Sequence, residues 1–117
     1  MEGLSQYEKE VRPWGSFERF TLNERSTVKI ITVNPGEAFS LQTHSSRDEC
    51  WRILGGSGTV TTGTLVHDAK PGDTYYVPRG SRHRAEGGPG GLTFLEISLG
   101  EFDEADITRL EDKYGRA

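Results

Sequence analysis

The sequence has little of what several classes of protein require. Cysteine occurs once, as Cys50, so no disulfide can form within the chain and a reducing compartment is expected. No apolar run approaches the roughly 20 residues that cross a bilayer, and the polar, acid-containing N-terminus is unlike a signal peptide. Positive charge is not in excess, because 14 basic residues stand against 18 acidic ones. We therefore expect a cytoplasmic protein that binds neither membranes nor nucleic acid.

The residues that are present favour a single all-β domain. A chain of 117 residues can form one domain with a modest core. Only 32% of the residues are hydrophobic, and 15 glycines separate short runs rich in β-branched side chains, which is typical of short strands joined by tight turns. This regular spacing favours a closed barrel or a sandwich. Strands are predicted over 16–22, 26–33, 38–44, 49–54, 58–62, 65–69, 74–77, 83–86 and 92–99.

The hydrophobic pattern changes its period only near the C-terminus. Ile107, Leu110 and Tyr114 are spaced three and four residues apart, as on one face of a helix. Asp103 is a suitable N-cap and Gly115 a suitable end. We therefore predict an amphipathic helix that docks on the barrel. The chain then divides into an N-terminal arm, a β-barrel and a C-terminal helix with its tail, over residues 1–12, 13–102 and 103–117.

Four polar residues in two short stretches predict a metal site. Gln42 and His44 are two positions apart, so on a strand they point to the same face. Glu49 follows a polar turn and begins the partner strand, and His83 follows a second turn. If the two hairpins face each other, the four side chains converge on one ion. The alternative is that each residue is satisfied locally, but the agreement of the two spacings favours the metal site.

The types of donor limit the identity of the ion. Two imidazoles, one carboxylate and one amide oxygen suit a single divalent ion and argue against copper(I). We expect zinc, with manganese, iron, cobalt and nickel as alternatives.

Other reactive or aromatic side chains are interpreted as structural. His67 lies before a turn and has no matching partner, so we expect it at the surface. Cys50 has no nearby base and is expected to be a small packing residue. Trp14 is expected to be a core anchor, whereas Trp51 is a candidate to line the wall of a binding site.

The two stretches resemble the paired motifs of the cupin superfamily, G-x5-H-x-H-x4-E-x6-G and G-x5-P-x-G-x2-H. The resemblance implies a small antiparallel barrel of the jelly-roll, or double-stranded β-helix, type with its metal inside one end. It also implies that the four polar residues are the metal ligands, with glutamine in the position of the first histidine. The matching residues are Gly36, Gln42, His44, Glu49 and Gly56 in the first motif, and Gly72, Pro78, Gly80 and His83 in the second.

A narrower resemblance covers residues 12–116. Four segments are similar to the type II mannose-6-phosphate isomerase family: RPWGS at 12–16, VKIITV at 28–33, SLQTH at 40–44, and DI, ED and YGR within 106–116. In many relatives this cupin follows a mannose-1-phosphate guanylyltransferase domain. The 117 residues contain no counterpart of that domain, so we do not expect nucleotidyl transfer.

The surroundings of the ligand positions depart from the family pattern. The family usually reads HHHRAEHW where this chain reads HSSRDECW at 44–51, and it usually has glutamine near Ser98. The ligand positions are kept while Ser45, Ser46 and Cys50 replace histidines. This change leaves the substrate, and turnover itself, open.

The resemblance implies an aldose–ketose isomerase acting on mannose 6-phosphate and fructose 6-phosphate. A metal would polarise the sugar carbonyl and stabilise the enediolate, while a base moves a proton between C1 and C2. Glu49 or a water on the metal are the two candidates for the base. Lys29, Arg47 and Arg84 are candidates to bind the phosphate, although each could instead be a solvated or paired surface charge.

Two other functions remain open at this stage. One is a cupin that binds a metal and a sugar without turnover, and the other is an iron(II) dioxygenase. In each case a homodimer is expected, because pairing covers exposed strand edges.

Overall fold

Nine strands and their connections make up the fold of residues 3–114, which are the residues that this computed structural model describes. No helix occurs within that range, which confirms the prediction of an all-β protein. It follows that none of the described residues forms a helix long and apolar enough to cross a bilayer. The strands are β1 (Glu8–Arg12), β2 (Gly15–Arg19), β3 (Ser26–Val33), β4 (Leu41–Thr43), β5 (Arg47–Thr62), β6 (Leu65–Ala69), β7 (Thr74–Val77), β8 (His83–Gly100) and β9 (Thr108–Glu111).

The two longest strands, β5 and β8, organise the main sheet. They pair antiparallel over most of their length, from Arg47 opposite Gly100 to Thr62 opposite His83. In one half of this pair, β7 lies beside β5 and β3 beside β8; in the other half, β6 lies beside β5, and β4 and β9 continue from β8. The apolar core combines side chains from both halves, which therefore fold over one another as two layers. Its buried members are Val33, Trp51, Ile53, Val60, Ala69, Val77, Ala85, Leu92 and Phe94.

Glycines bend these long strands where the sequence analysis predicted that they end. Gly56 has a φ of +81°, and a Cβ at this position would lie 2.1 Å from the carbonyl oxygen of Gly91. The register of β5 against β8 shifts beside it, between Gly56 and Gly58. The predicted breaks after 54 and after 86 were wrong, because pairing between β5 and β8 resumes on the far side of each bend.

The predicted C-terminal helix is wrong. Thr108–Glu111 forms β9, which pairs antiparallel with β4. Ile107 and Arg109, which are two residues apart, face the interior cavity, while Leu110 is exposed. The side chains therefore alternate with the period of two of a strand, and the helical spacing of the apolar residues was misleading. Pairing with the edge of β4 outweighs the local preference for a helix. The predicted helix end at Gly115 and the tail to residue 117 lie outside the described residues.

The N-terminal segment is more ordered than the predicted arm. Its strand β1 pairs with β2, and the hairpin loop between them consists of Pro13 and Trp14. Trp14 is therefore at a hairpin tip and 73% exposed, so its prediction as a core anchor was wrong. Leu4 packs with the buried Cys50 beneath the hairpin. Residues 1 and 2 lie outside the described range.

The buried position of Cys50 confirms that it is a packing residue. Its side chain is 1% exposed and lies in a small apolar cluster with Leu4, Ile97 and Leu99. Burial raises the pKa of this thiol to about 11, so it stays protonated and is a poor nucleophile at neutral pH.

Candidate metal centre

Three buried side chains from separate parts of the chain converge inside the sheet. His44 directly follows β4, Glu49 lies near the start of β5 and His83 begins β8. Nitrogen and oxygen atoms of these three residues lie within 4.8 Å of one another. Nε2 of His44 is 3.4 Å from Oε2 of Glu49, and Nε2 of His83 is 3.7 Å from Oε1. This triad could bind a metal ion.

Backbone carbonyl groups fix the orientation of both imidazoles. Nδ1 of His44 donates a hydrogen bond of 2.6 Å to the carbonyl oxygen of Asp106, and Nδ1 of His83 donates one of 3.1 Å to that of Ser81. Because a carbonyl only accepts, each ring carries a proton on Nδ1. When the rings are neutral, the lone pair of each Nε2 therefore points into the cluster, as metal ligation requires.

His83 provides the test of whether these residues fit a metal. Its Nε2 is buried and has no hydrogen-bond partner among the described residues. Burial lowers the pKa of His83, and the charge of Glu49 only partly opposes that effect, so the imidazole is neutral at neutral pH. A buried acceptor without a partner is costly, and a cation near Glu49 would satisfy it. The residues therefore fit a divalent metal ion.

Two neighbours of Glu49 on β5 hold its carboxylate. The indole Nε1 of Trp51 donates to Oε1 at 3.0 Å, and Nε of Arg47 donates to Oε2 at 3.0 Å. Trp51 is completely buried and packs against Phe94. It therefore orients Glu49 instead of lining a wall open to a sugar, which corrects the role predicted for it from the sequence.

Gln42 lies beside the triad, on the strand position that pairs with His83. Its Nε2 is 3.3 Å from Nε2 of His44, while its Oε1 accepts a hydrogen bond of 2.8 Å from the hydroxyl of Ser40. A half-turn of the amide would direct Oε1 towards the cluster and leave Ser40 with a donor in place of an acceptor. The hydroxyl of Ser40 can donate or accept a hydrogen bond, so it can pair with either orientation of the amide. Gln42 can therefore serve as a fourth ligand.

Arg47, a candidate from the sequence for binding the phosphate, lies in direct contact with the triad. Its side chain is buried, and Nη2 lies 3.1 Å from Nε2 of His44. Nη1 donates to the carbonyl oxygen of Asp103, and the guanidinium group lies over the ring of Phe102. The same side chain thus contacts two of the three triad members and the segment that precedes β9.

Two members of the triad, His44 and Glu49, line a cavity of about 210 Å³ together with Gln42. Lys29 lies at this cavity, where its ammonium group pairs with Glu104 at 3.2 Å. Arg84 lies elsewhere, because its guanidinium donates to the carbonyl oxygens of Phe39 and Glu111 on the outer side of the sheet. The structure therefore brings Lys29 and Arg47 to the site and leaves Arg84 outside it. The cavity is lined by Lys29, Ile31, Phe39, Gln42, His44, Arg47, Glu49, Glu96, Glu104, Ile107 and Arg109.

The third histidine, His67, is not a member of the triad and is separated from β8, which carries His83, by β5. It lies on β6, half-buried, with Nε2 3.0 Å from the hydroxyl of Thr62 and its ring beside Tyr75. A larger groove of about 450 Å³ also exists, lined in part by Ile31 and Phe39. The smaller cavity is the candidate site, because Gln42, His44 and Glu49 line it and none of them lines the larger groove.

Sequence reasoning missed Glu96, a buried carboxyl in the same cavity. It lies on the interior face of β8, 6% exposed, and accepts a hydrogen bond of 3.3 Å from Ser98. Burial, followed by the nearby charge of Glu49, raises the pKa of Glu96 to about 7. The sequence feature that could have identified Glu96 is its position: it alternates with the apolar residues Leu92 and Phe94 and so lies on the same face of the strand.

Sequence reasoning also missed the role of Asp106, which was assigned to the helix. Its carboxylate accepts hydrogen bonds from the hydroxyl and backbone amide of Ser45 and from the amide of Ser46. These bonds lower the pKa of Asp106 to about 2. Because its backbone carbonyl also orients His44, this residue joins the segment before β9 to the turn that carries a ligand.

The two-layer double-stranded β-helix with a His-Glu-His cluster inside it defines the protein as a cupin. The chain matches the family described as Mannose-6-phosphate isomerase C-terminal over residues 2–112, and it belongs to that family. A cupin-2 domain from Rhodospirillum rubrum, Rru_A2000, superposes with a TM-score of 0.63 at 27% identity, over 75% of this chain and 64% of that one.

Two curated relatives are similar in sequence over nearly the whole chain. The xanthan biosynthesis protein XanB of Xanthomonas campestris pv. campestris is 39% identical over 94% of this chain and 24% of its own length. The mannose-1-phosphate guanylyltransferase ManC of Salmonella typhimurium is 39% identical over 90% of this chain and 22% of its own length. The chain therefore spans about a quarter of the length of these relatives.

Proposed function

We propose that this cupin binds one divalent metal ion through His44, Glu49 and His83, with Gln42 as the fourth ligand. The observation that supports this most strongly is the buried Nε2 of His83, which lacks a partner among residues 3–114 and faces Glu49. Zinc is the expected ion, and manganese, iron, cobalt and nickel are alternatives with the same ligand preferences.

We further propose that the metal site isomerises a sugar phosphate, with mannose 6-phosphate and fructose 6-phosphate as the pair. Membership of the mannose-6-phosphate isomerase C-terminal family supports this choice of substrate. A bound divalent ion would supply Lewis acidity towards the sugar carbonyl. The chain's own residues would hold the ligands in place, and the ring of Phe39 and the side chain of Ile31 would limit the access of water to the cavity.

Lys29 is the residue of the cavity that we assign to the phosphate. Its ammonium group pairs with Glu104, which is 81% exposed at the side chain, and it lies over Phe102. A partner this exposed is readily exchanged for a dianion, because surface ion pairs contribute little to stability. Arg84 is not assigned this role, since it lies outside the cavity.

A second candidate function is a cupin that binds metal and sugar without turnover. Arg47 favours it, because its guanidinium group already donates to the ligating nitrogen of His44 and to Glu49. This internal cation, beside the metal site, could bind an anionic sugar directly, and such binding requires no turnover.

A coupled assay that follows fructose 6-phosphate formation from mannose 6-phosphate separates these functions. Wild type should turn over, lose activity with a chelator and regain it with zinc or another of the candidate ions. His83→Ala should be inactive under every condition, whereas His67→Ala should match wild type. Stoichiometric metal without turnover would support the binding module, and metal-dependent oxygen uptake would support a dioxygenase.

The cellular setting and assembly remain part of the proposal. We expect the protein to act in the cytoplasm, where its sugar-phosphate substrates would be found, and to form a homodimer. Sedimentation equilibrium of the purified chain tests the second point, and a monomer at micromolar concentration would contradict it.

A further inference from the structure

Glu96 is the buried acidic side chain of the cavity that the proposed ligand set leaves unused. It projects from β8 into the cavity that contains Gln42, His44 and Glu49. Its neighbour on the same face, Ser98, donates to Oε1. A buried acid with a hydroxyl as its hydrogen-bond donor differs from Glu49, whose two oxygens are bound by Trp51 and Arg47.

The strand register places Glu96 beside the ligand cluster but not within it. Glu49 on β5 pairs with Ser98 on β8, and Glu96 is two residues from Ser98 on the same face. Glu96 and Glu49 are therefore diagonal neighbours, which in an antiparallel pair are separated by about 7–8 Å. Both side chains line the cavity of about 210 Å³, which leaves space for the two reacting carbons of a sugar beside the carboxyl of Glu96.

The charges around Glu96 suit a group that both removes and returns a proton. Burial and the charge of Glu49 raise its pKa to about 7, while Lys29 and Arg47 oppose the shift. In the metal-free protein both protonation states are then populated near neutral pH, and a group that removes and returns a proton must use both. Charged or titratable residues from every neighbouring element line the same cavity: Lys29 on β3, His44 after β4, Arg47 and Glu49 on β5, Glu104 before β9, and Arg109 on β9.

We propose that Glu96 is the base that moves the proton between C2 and C1 of the sugar. This inference rests on the proposed isomerase function and deepens it. The carboxylate of Glu96 removes the proton from C2; the C–H electron pair forms the C1–C2 double bond, and the carbonyl pair moves to O1. The carboxylic acid then returns that proton to C1, O2 becomes the carbonyl oxygen, and the hydroxyl proton of O2 ends on O1.

Glu96→Gln tests this role, because it keeps the shape of the side chain and removes its basicity. Glu101→Gln, at an exposed position just beyond β8, is the matched control. Turnover of mannose 6-phosphate, exchange of the C2 proton with deuterated water, zinc stoichiometry and the melting temperature are measured for wild type and both variants. Glu96→Gln should lose about 10²–10⁴-fold in kcat, the usual range for acid–base catalysis, and should lose C2 exchange, while it binds zinc and melts cooperatively. Glu101→Gln should match wild type.

The outcomes separate this inference from the function on which it rests. If wild type is active and Glu96→Gln stays within tenfold of it, Glu96 is not the base although the isomerase function stands. If wild type itself has no turnover with its metal bound, both proposals are overturned.

Ser98→Ala provides a second test in case Glu96→Gln does not fold. The hydroxyl of Ser98 stabilises the ionised form of Glu96, so its removal should move the acidic limb of the kcat/KM profile to higher pH. An unmoved limb in a folded and active variant would overturn the assignment.

Discussion

Nη2 of Arg47 lies 3.1 Å from Nε2 of His44, the nitrogen that metal binding requires. The guanidinium donates into the lone pair that a metal would use, and it also binds Glu49 through Nε. Metal loading therefore requires Arg47 to give up at least its contact with His44. Because Arg47 also contacts Asp103 and Phe102, this movement would reach the segment that leads to β9.

Arg47→Met should increase the affinity of the site for zinc. The substitution keeps an unbranched apolar side chain and removes both the competing donor and a positive charge about 3 Å from the ligands, which repels a divalent cation. We expect the dissociation constant to fall by about tenfold, measured by isothermal titration calorimetry. Arg25→Met, at an exposed position between β2 and β3, is the control and should not change it. A weaker affinity in Arg47→Met would show that Arg47 serves mainly to hold Glu49 in place.

Trp51→Phe should weaken metal binding while the barrel remains folded. The change keeps an aromatic ring in the core and removes the indole donor to Oε1 of Glu49. Partners of this kind typically contribute 10–100-fold in metal affinity, so we expect a loss of about tenfold or more. Trp14→Phe removes an indole at the exposed hairpin tip and should leave the affinity unchanged. Equal metal affinities for the two variants would show that Trp51 does not contribute to metal binding.

Glu96 should make the stability of the metal-free protein depend on pH. Its pKa is raised from 4.5 to about 7 in the folded state, so between these values the folded state binds more protons than the unfolded state. Stability should therefore fall as pH rises through this window. Glu96→Gln removes that effect and should gain about 1–3 kcal/mol relative to wild type between pH 4.5 and pH 8. Urea denaturation with a chelator measures this gain, and Glu101→Gln should show none.

Gly56→Ala should destabilise the fold more than Gly36→Ala. Both glycines have positive φ, so each substitution carries a conformational cost of about 1–2 kcal/mol. At Gly56 the new Cβ would also meet the carbonyl oxygen of Gly91 at 2.1 Å, whereas nothing lies within 4 Å at Gly36. The clash should add about 1–3 kcal/mol. Equal losses in thermal denaturation would show that the close approach of β5 and β8 at the bend is not tight.

The sequence predicted best what depends on local pattern. The strands Ser26–Val33, Leu65–Ala69 and Thr74–Val77 have the predicted bounds, because β-branched or aromatic runs and flanking turn residues determine them. The convergence of His44, Glu49 and His83 was also predicted, since strand periodicity and the two turns place them on one face. Their role as metal ligands stays a prediction.

What the sequence could not predict depends on pairing between distant segments. Residues 108–111 form β9 because they pair with the edge strand β4. The local sequence of residues 108–111 does not indicate that pairing. The burial of Arg47 and the exposure of Trp14 likewise depend on how hairpins are arranged in space. Strand alternation could have predicted that Glu96 faces the interior. Its place beside the ligand cluster could not be predicted, because that depends on the position of Glu49 on the neighbouring strand.

The metal content of two histidine variants tests the central claim most directly. Wild type, His83→Ala and His67→Ala are purified, stripped with a chelator, reloaded with zinc and analysed by elemental mass spectrometry, with circular dichroism to confirm folding. We predict one ion per chain in wild type and in His67→Ala, and less than about a tenth of an ion in His83→Ala, which loses one of the proposed ligands. Stoichiometric zinc in folded His83→Ala, or none in wild type, would contradict the account.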